Sequence, residues 1–153
     1  MTPCSDAMIK DVLTVTPDTT VHDALAIFEK NDIRSVPVVS KDGNLLGLFG
    51  LKHVLLSLLP KSVTMEGGLT KLDFVVGAAP GIAKRLGKIQ NKPIENFMEK
   101  NPDVLQENTP TWEALRVIAL YGSPIPIVKE NSGEFIGMIS RQSLLKQLET
   151  IKD

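Results

Sequence analysis

The sequence is poor in the residues that build disulfides, metal sites and stacking platforms. Cys4 is the only cysteine, and His22 and His53 are the only histidines among 153 residues. An internal disulfide is therefore excluded, and a zinc site of the usual Cys and His type is not expected. Phe, Trp and Tyr make up only 5% of the chain, which leaves few rings to stack on single-stranded bases.

The chain also lacks an excess of one charge and a long apolar run. Its 17 Lys and Arg residues and 18 Asp and Glu residues give a net charge of −1, whereas nucleic-acid-binding proteins normally carry a basic excess that neutralises phosphates. The longest stretch without charged residues or His, Val117 to Val128, contains two prolines and is shorter than the ~18 residues typical of a membrane span. We therefore expect neither a nucleic-acid nor a membrane partner. Because Met1 to Val12 shows no secretory pattern, we also expect a cytoplasmic protein.

What the chain does contain is an internal repeat with an offset close to 90 residues. The pairs of identical residues in order are Met8 and Met98, Lys10 and Lys100, Thr19 and Thr109, Ala24 and Ala114, Leu25 and Leu115, Pro37 and Pro126, Val39 and Val128, Gly43 and Gly133, Gly47 and Gly137, Leu55 and Leu145, and Leu58 and Leu148. We therefore predict a first repeat over residues 1–59, an inserted linker over 60–92 and a second repeat over 93–153.

Each repeat is predicted to contain a short strand, a helix, a β-hairpin and a second helix. Thr19 or Thr20 can cap the first helix, and Asp42-Gly43 between two apolar runs is a strong hairpin signal. Apolar residues recur at helical spacing in three of the four predicted helices. They are Val21, Ala24, Leu25 and Phe28, then Leu51, Val54, Leu55, Leu58 and Leu59, and at the end of the chain Leu144, Leu145, Leu148 and Ile151. In the second repeat, Pro110 is predicted at the first helical position.

These motifs resemble the tandem CBS (cystathionine β-synthase) domains known as a Bateman module. The resemblance is carried by Thr-Val-x-Pro-Asp-Thr-Thr-Val-x-x-Ala-Leu, then Val-Pro-Val-Val, then Asp-Gly-x-Leu-Leu-Gly-Leu-Phe in the first repeat. The second repeat has similar residues in the same order, with Ile-Pro-Ile-Val as its second motif. It implies an α/β (α+β) fold of two βαββα repeats packed as a pseudo-two-fold pair. It also implies a homodimer in which adenosine-containing ligands bind between the repeats and regulate a partner protein.

The resemblance implies two clefts between the repeats, and the cleft built on residues of the second repeat matches the family better. The purine would lie against the backbone and side chains at the Val-Pro-Val strand, and the phosphate near the start of the last helix, where free N–H groups favour an anion. In the second repeat these positions are Gly122, Ser123, Pro124, Ile125, Pro126, Ser140, Arg141 and Ser143; in the first, weaker site they are Ile33, Arg34, Ser35, Val36, Pro37 and His53.

Both sites depart from the family at the aspartate that binds the ribose, which is replaced by His53 and Ser143. A carboxylate accepts two hydrogen bonds from a ribose diol, whereas Ser or neutral His satisfies only part of it. Losing such charge-assisted bonds costs ~1.5–3 kcal/mol, roughly tenfold to a hundredfold in affinity. We therefore expect AMP, ADP, ATP or S-adenosylmethionine to bind more weakly than in the family, with the second site ahead of the first.

Several of these residues also have purely structural interpretations. Ser140 is expected to serve as a helix N-cap, His53 as an exposed first-turn residue, and Cys4 as part of a frayed tail. Trp112 and Tyr121 are expected to pack against the core. In the segment from Pro60 to Lys92, Ile82, Leu86 and Ile89 recur at helical spacing beside basic residues. Four interpretations of this segment stay open: a helix covering the sheet, a lid over a cleft, a basic patch that docks a partner, and a solvated helix face.

The sequence therefore predicts a stand-alone regulatory module that binds an adenosine-containing molecule and modulates a partner. The alternative is a degenerate pair of repeats that acts as a ligand-free dimerisation scaffold. An enzyme is not expected, because no nucleophile triad, metal-ligand cluster or distinct carboxylate pair is present; no catalytic or metal-binding residue is assigned.

Overall fold

The structure is a computed structural model that describes residues 2–59 and 81–151. The part of the predicted linker over 60–80 lies outside the described residues. In chain order the helices and strands are α1 (Val21–Asn31), β1 (Ser35–Val39), β2 (Leu45–Gly50), α2 (Leu51–Leu58), α3 (Ile82–Ile89), β3 (Glu99–Lys100), β4 (Leu105–Gln106), α4 (Thr111–Tyr121), β5 (Ile125–Val128), β6 (Phe135–Ile139) and α5 (Arg141–Glu149). Short 3-10 turns cover Cys4–Ala7 and Ile94–Asn96.

Helix α1 forms for reasons that are local in the sequence. The Thr20 side chain caps it by accepting a hydrogen bond from the Asp23 backbone N–H at 3.1 Å, which satisfies one of the free donors of the first turn. The buried residues Val21, Ala24 and Phe28 recur at the spacing of one helix face. The predicted cap and apolar face are both confirmed.

The strands form two three-stranded sheets, in the orders β1-β2-β3 and β4-β5-β6. Strand β4 pairs with β5 in parallel, and β5 pairs with β6 antiparallel, so that Ile125 lies opposite Ile139. The predicted mixed α/β fold is confirmed. Of the predicted first strand over residues 14–16, only Val15 takes part in a bridge.

The Asp-Gly hairpin is confirmed, and the turn of the second hairpin lies beside it. Gly43 has a φ of +88° and Gly133 a φ of +75°, a region that L-residues with a side chain rarely adopt. Across the two turns, Leu45 N donates to Gly133 O at 3.1 Å and Phe135 N donates to Gly43 O at 2.9 Å. The two tips thereby satisfy backbone groups that would otherwise face solvent.

The described residues fall into two compact units, and the leading segment of each repeat belongs to the unit of the other repeat. The first unit comprises Val15–Val36 and Leu48–Lys100; the second comprises Met1–Thr14, Pro37–Gly47 and Asn101–Asp153. Strands β1 and β2 run through both units. The two units are defined by contacts between residues, and their bounds are not those of the repeats. The repeat boundaries therefore stay a prediction from the sequence.

Backbone hydrogen bonds hold each leading segment in its unit. In the second unit, Thr111 N donates to Thr2 O at 3.0 Å and Ile9 N donates to Met138 O at 2.7 Å. In the first unit, Ile94 N donates to Thr19 O at 2.8 Å. The bridges Pro3–Pro110 and Thr20–Pro93 are equivalent positions in the two repeats.

The prediction that Cys4 lies in a frayed tail is wrong. Cys4 is 0% exposed and packs in the core of the second unit with Leu105, Ala114 and Ile118. Its thiol donates to Gln106 O at 3.1 Å, and burial raises the pKa of that thiol. The backbone hydrogen bonds of the leading segment hold Cys4 in the core.

The prediction that Trp112 and Tyr121 pack against the core is also wrong. Helix α4 buries the face of Thr111, Ala114 and Ile118, which leaves Trp112 54% exposed and Tyr121 67% exposed. An apolar residue within a helix is buried only when it shares the core-facing side.

The last helix of each repeat buries a narrower face than its apolar pattern indicates. In α2 only Val54 and Leu58 are buried. In α5 only Leu144 is fully buried, and Ile151 lies beyond the end of the helix. Leu148 of α5 is half-buried against the core of the second unit. Other large apolar side chains of these helices, and that of the residue after α2, are exposed, namely Leu51, Leu55, Leu56, Leu59 and Leu145. Pro110 is the N-cap of α4, one residue before the predicted position. Helix α3 confirms the predicted periodicity, with Ile89 buried.

Gly137→Ala tests the packing of the N-terminal segment on β6. A Cβ at Gly137 would lie 2.7 Å from Ile9 O and would clash with the Met8 side chain; since the Ile9 carbonyl is backbone, the segment must shift. We expect the free energy of unfolding in urea to fall by about 1–3 kcal/mol. The control Gly87→Ala in α3 meets nothing within 4 Å and should gain ~0.5–1 kcal/mol. Equal stability of Gly137→Ala and the parent would contradict this packing.

Candidate functional site

The predicted site of the second repeat lies where β5 begins and β6 ends. Because Ile125 and Ile139 are opposite each other in the sheet, the chain before β5 and the chain after β6 emerge at the same edge. Gly122 ends α4 with a φ of +102°, which turns the chain toward β5. This geometry brings Ser123 close to the start of α5.

Ser140 and Ser143 cap the N-terminus of α5 reciprocally. The Ser140 Oγ accepts from Ser143 N at 3.1 Å, and the Ser143 Oγ accepts from Ser140 N at 2.9 Å. The same Ser143 hydroxyl donates to Ser140 O at 3.2 Å. The predicted N-cap role of Ser140 is confirmed, and Ser143 has the position of the reciprocal residue in a capping box.

Ser123 extends this arrangement from outside the helix. Its Oγ accepts a hydrogen bond from Arg141 N at 3.1 Å, so a side chain already occupies the first N–H of α5. We call Ser123, Ser140 and Ser143 the serine cluster. The Arg141 side chain is exposed beside it. An anion at this helix terminus would have to displace Ser123, a competition that the sequence analysis missed.

The other predicted residues of this site differ in accessibility. Gly122, Ser123 and Pro124 are half-buried, whereas Ile125 and Pro126 are buried. Ile125 packs in the core with Ala114 and Leu144. Gly122 to Pro124 therefore have the more accessible backbone, while the side chain of Ile125 is committed to packing.

In the first repeat, the backbone of Arg34 packs directly against the corresponding helix start, that of α2. Leu51 N, the first N–H of α2, donates to Arg34 O at 3.0 Å. A Cβ at Gly50 would lie 2.8 Å from Arg34 O and 3.0 Å from Ser35 Cβ. Glycine is therefore required at the position where the second repeat has Ser140.

The prediction that His53 is an exposed first-turn residue is wrong. Its side chain is only 16% exposed, its Nδ1 accepts from Gly50 N at 3.0 Å, and its ring stacks on Phe49 with centroids 6.2 Å apart. Burial is the main cause that lowers the pKa of His53; Lys52 also lowers it, while Glu99 raises it. His53 is thus the neutral counterpart of Ser143 and caps α2.

The remaining predicted residues of the first repeat divide between a pocket and the strand. Ile33 and Arg34 line an open pocket of about 300 Å³. Val36 and Pro37 are buried in β1, and Ser35 is half-buried. The other residues that line the pocket were not among the predicted site residues; they are Leu25, Phe28, Glu29, Asp32 and Leu51. His53 does not line this pocket. The apolar positions of α1 and α2 were visible in the sequence, but their meeting at one pocket depends on the fold.

Comparison with known proteins identifies the family. The CBS domain model matches residues 4–60 and 94–150. The chain belongs to the CBS domain family. A CBS domain-containing protein of Dictyostelium discoideum is 30% identical over 144 residues, which cover 92% of this chain and 87% of that protein. The recognition of a tandem CBS pair from the sequence is therefore confirmed.

Two solved CBS-pair structures share the fold. CBSX2 of Arabidopsis thaliana in complex with AMP has a TM-score of 0.72 and 22% identity, and the match covers 100% of both chains. The CBS domain pair of protein MJ0100, in complex with 5′-methylthioadenosine and S-adenosyl-L-methionine, has a TM-score of 0.63 and 18% identity over 96% of this CBS chain and 99% of that chain.

The described residues of this CBS protein contain neither a candidate group of metal ligands nor a candidate membrane span. Within residues 2–59 and 81–151, no three His, Cys, Asp or Glu side chains come together as candidate metal ligands. In the same ranges, no helix has the length and apolar character of a membrane span.

Reciprocal substitutions test the difference between the two helix starts. Gly50→Ser should lower the free energy of unfolding by about 1–3 kcal/mol, because its Cβ meets the Arg34 backbone and the new hydroxyl cannot compensate. Ser140→Gly removes a cap in an open position and should cost only a few tenths, roughly 0.3 kcal/mol. Urea denaturation at neutral pH measures both, and a Gly50→Ser protein as stable as the parent would contradict the close approach.

Proposed function

We propose that this CBS pair is a regulatory module that binds an adenosine-containing molecule, such as AMP, ADP, ATP or S-adenosylmethionine, at the second-repeat site. The observation that carries the proposal is the serine cluster at the start of α5, which meets the accessible backbone of Gly122 to Pro124. The ligands in the solved CBSX2 and MJ0100 complexes support the adenosine class.

Each group of the site has a defined task in this proposal. The backbone of Gly122 to Pro124 offers donors and acceptors to the purine. Ser143 contributes a hydroxyl toward the ribose in place of the family's carboxylate. The N–H groups at the start of α5 and the Arg141 guanidinium favour a phosphate or another anionic group, once Ser123 releases Arg141 N.

A ligand whose anionic group displaces the Ser123 hydroxyl from Arg141 N would change the local structure when it binds. The Ser123 hydroxyl joins the segment after α4 to the first residue of α5. When an anion takes its place, that link is lost and the segment can rearrange. Such a change is the kind of signal that a protein partner could read, and we propose that a partner is regulated in this way.

A degenerate, ligand-free scaffold is the second candidate function. It is favoured by the first repeat, in which Leu51 N donates to Arg34 O and Gly50 N donates to His53 Nδ1, so that these two N–H groups already have partners. A scaffold would bind no nucleotide in either repeat, and its melting temperature would not respond to any.

Ser143→Asp restores the family's carboxylate and should tighten nucleotide binding. Asp can still accept from Ser140 N and is favourable in the first turn of a helix, so the variant should fold. We expect the Kd of AMP in calorimetric titration to fall about tenfold or more. The control Gln142→Asp adds the same charge at the neighbouring exposed position.

Two outcomes contradict the ligand proposal. If the parent and Ser143→Asp both give no heat and no thermal shift with AMP, ADP, ATP or S-adenosylmethionine at millimolar concentration, the scaffold function takes its place. If Gln142→Asp tightens binding as much as Ser143→Asp does, general electrostatics explains the gain and the assignment of Ser143 to the ribose is wrong.

We also propose that the chain forms a homodimer through exposed apolar side chains on its helices. Helices of the second unit expose Trp112, Leu115, Leu120, Tyr121 and Leu145, and α2 of the first unit exposes Leu51, Leu55 and Leu56. Burying these side chains against a second copy would remove apolar surface from water, which is the main favourable contribution to most protein association.

Leu145→Glu tests the dimer. Leu145 is 59% exposed on α5, so the substitution should leave the fold intact while placing a charge in the interface. Light scattering should report a dimer for the parent and mostly monomer for Leu145→Glu. The control Leu13→Glu changes a leucine that is 49% exposed outside the helices and should stay dimeric. A monomeric parent protein, or dimers of all three proteins, would contradict this interface.

The proposed function involves no catalysis, metal, nucleic acid or membrane, and it places the module in the cytoplasm. The near-balanced charge of the sequence supports the expectation that nucleic acid is not the ligand. Turnover of a nucleotide by the purified protein would overturn the non-enzymatic assignment.

A further inference from the structure

His53 holds two different contacts with its two ring nitrogens. Nδ1 accepts from Gly50 N at 3.0 Å, which requires Nδ1 to be unprotonated and places the ring proton on Nε2. Nε2 lies 3.9 Å from Glu99 Oε2 on β3. One nitrogen therefore caps α2, and the other faces a carboxylate on a strand.

Protonation changes the two contacts in opposite directions. With a proton on Nδ1, two N–H groups face each other and the cap on Gly50 is lost, and the new charge lies at the unfavourable positive end of the α2 dipole. The attraction between Nε2 and Glu99 becomes stronger at the same time. The charged groups that face His53 are Glu99 on β3 and Lys52 on α2, while β2 contributes only the Phe49 ring.

We propose that His53 is a pH-sensitive switch in the first unit: neutral His53 caps α2 through Gly50 N, and protonated His53 releases that cap and pairs with Glu99 of β3. The equivalent residue of the second repeat, Ser143, caps Ser140 N at 2.9 Å and does not titrate in this range. The switch is therefore confined to the first repeat.

The direction of the pH dependence follows from the burial of His53. Its pKa is lowered in the folded protein, whereas an unfolded histidine titrates near ~6.5. Below that pH the unfolded state binds more protons than the folded state, so stability falls as the pH drops through the window down to the folded pKa. Above the unfolded value His53 is neutral in both states and contributes no slope.

An NMR titration of the parent protein tests the switch without any substitution. The His53 ring resonances and the Gly50 amide should titrate with one common midpoint below ~6.5. The hydrogen-exchange protection factor of Gly50 N–H should fall about two- to tenfold as His53 becomes protonated. A Gly50 amide that is unaffected while His53 titrates would overturn the proposal.

Three substitutions separate the switch from a purely structural role. His53→Gln keeps an acceptor that can reach Gly50 N but cannot titrate, so it should lose the part of the stability slope that His53 contributes below pH ~6.5. His22→Gln, at an exposed histidine of α1, should retain the slope. Glu99→Gln removes the partner of the protonated form and should lower the midpoint of His53 further.

Two of these variants have a result that contradicts the switch. An unchanged slope in His53→Gln would assign the pH dependence to other groups, and an unchanged midpoint in Glu99→Gln would exclude Glu99 as the partner of the charged state. The Glu99→Gln midpoint and the parent titration keep the proposal testable if His53→Gln does not fold.

Discussion

Backbone hydrogen bonds between the leading segment of each repeat and the body of the other repeat organise the rest of this structure. Residues 2–9 bond to Thr109, Thr111 and Met138 in the second unit, and residues 90–94 bond to the start of α1 in the first unit. A small repeat has little core of its own, and each leading segment adds backbone hydrogen bonds to the unit that it joins.

The same constraint explains why some features were predictable and others were not. The Thr20 cap and the Asp42-Gly43 turn depend on residues within a few positions of each other, and both were predicted. The burial of Cys4 depends on contacts with residues more than 100 positions away, which no local pattern encodes. The exposure of Trp112 and Tyr121 depends on which side of α4 meets the core, and several sides of that helix carry apolar residues.

At the candidate sites too, some features were predictable from the sequence and others depend on contacts between distant residues. The repeat offset of 90 places Gly50 against Ser140 and His53 against Ser143, so the sequence locates both differences. The sequence does not reveal why position 50 is glycine. A Cβ at this position would lie 2.8 Å from Arg34 O, a contact that exists only in the folded chain. Nor does the sequence reveal that Ser123 occupies the N–H of Arg141. The two repeats therefore share a fold but present different chemistry at equivalent helix starts.

The central claim is that an adenosine-containing ligand binds beside the serine cluster of the second repeat and not at the closed helix start of the first. Titrating AMP into the isotopically labelled protein and following backbone amide resonances tests this claim most directly. The account predicts saturable shifts at Ser123, Arg141 and Ser143, with Gly50 and Leu51 unaffected. Saturable shifts confined to Gly50 and Leu51, or no saturable shift at either helix start, would contradict it.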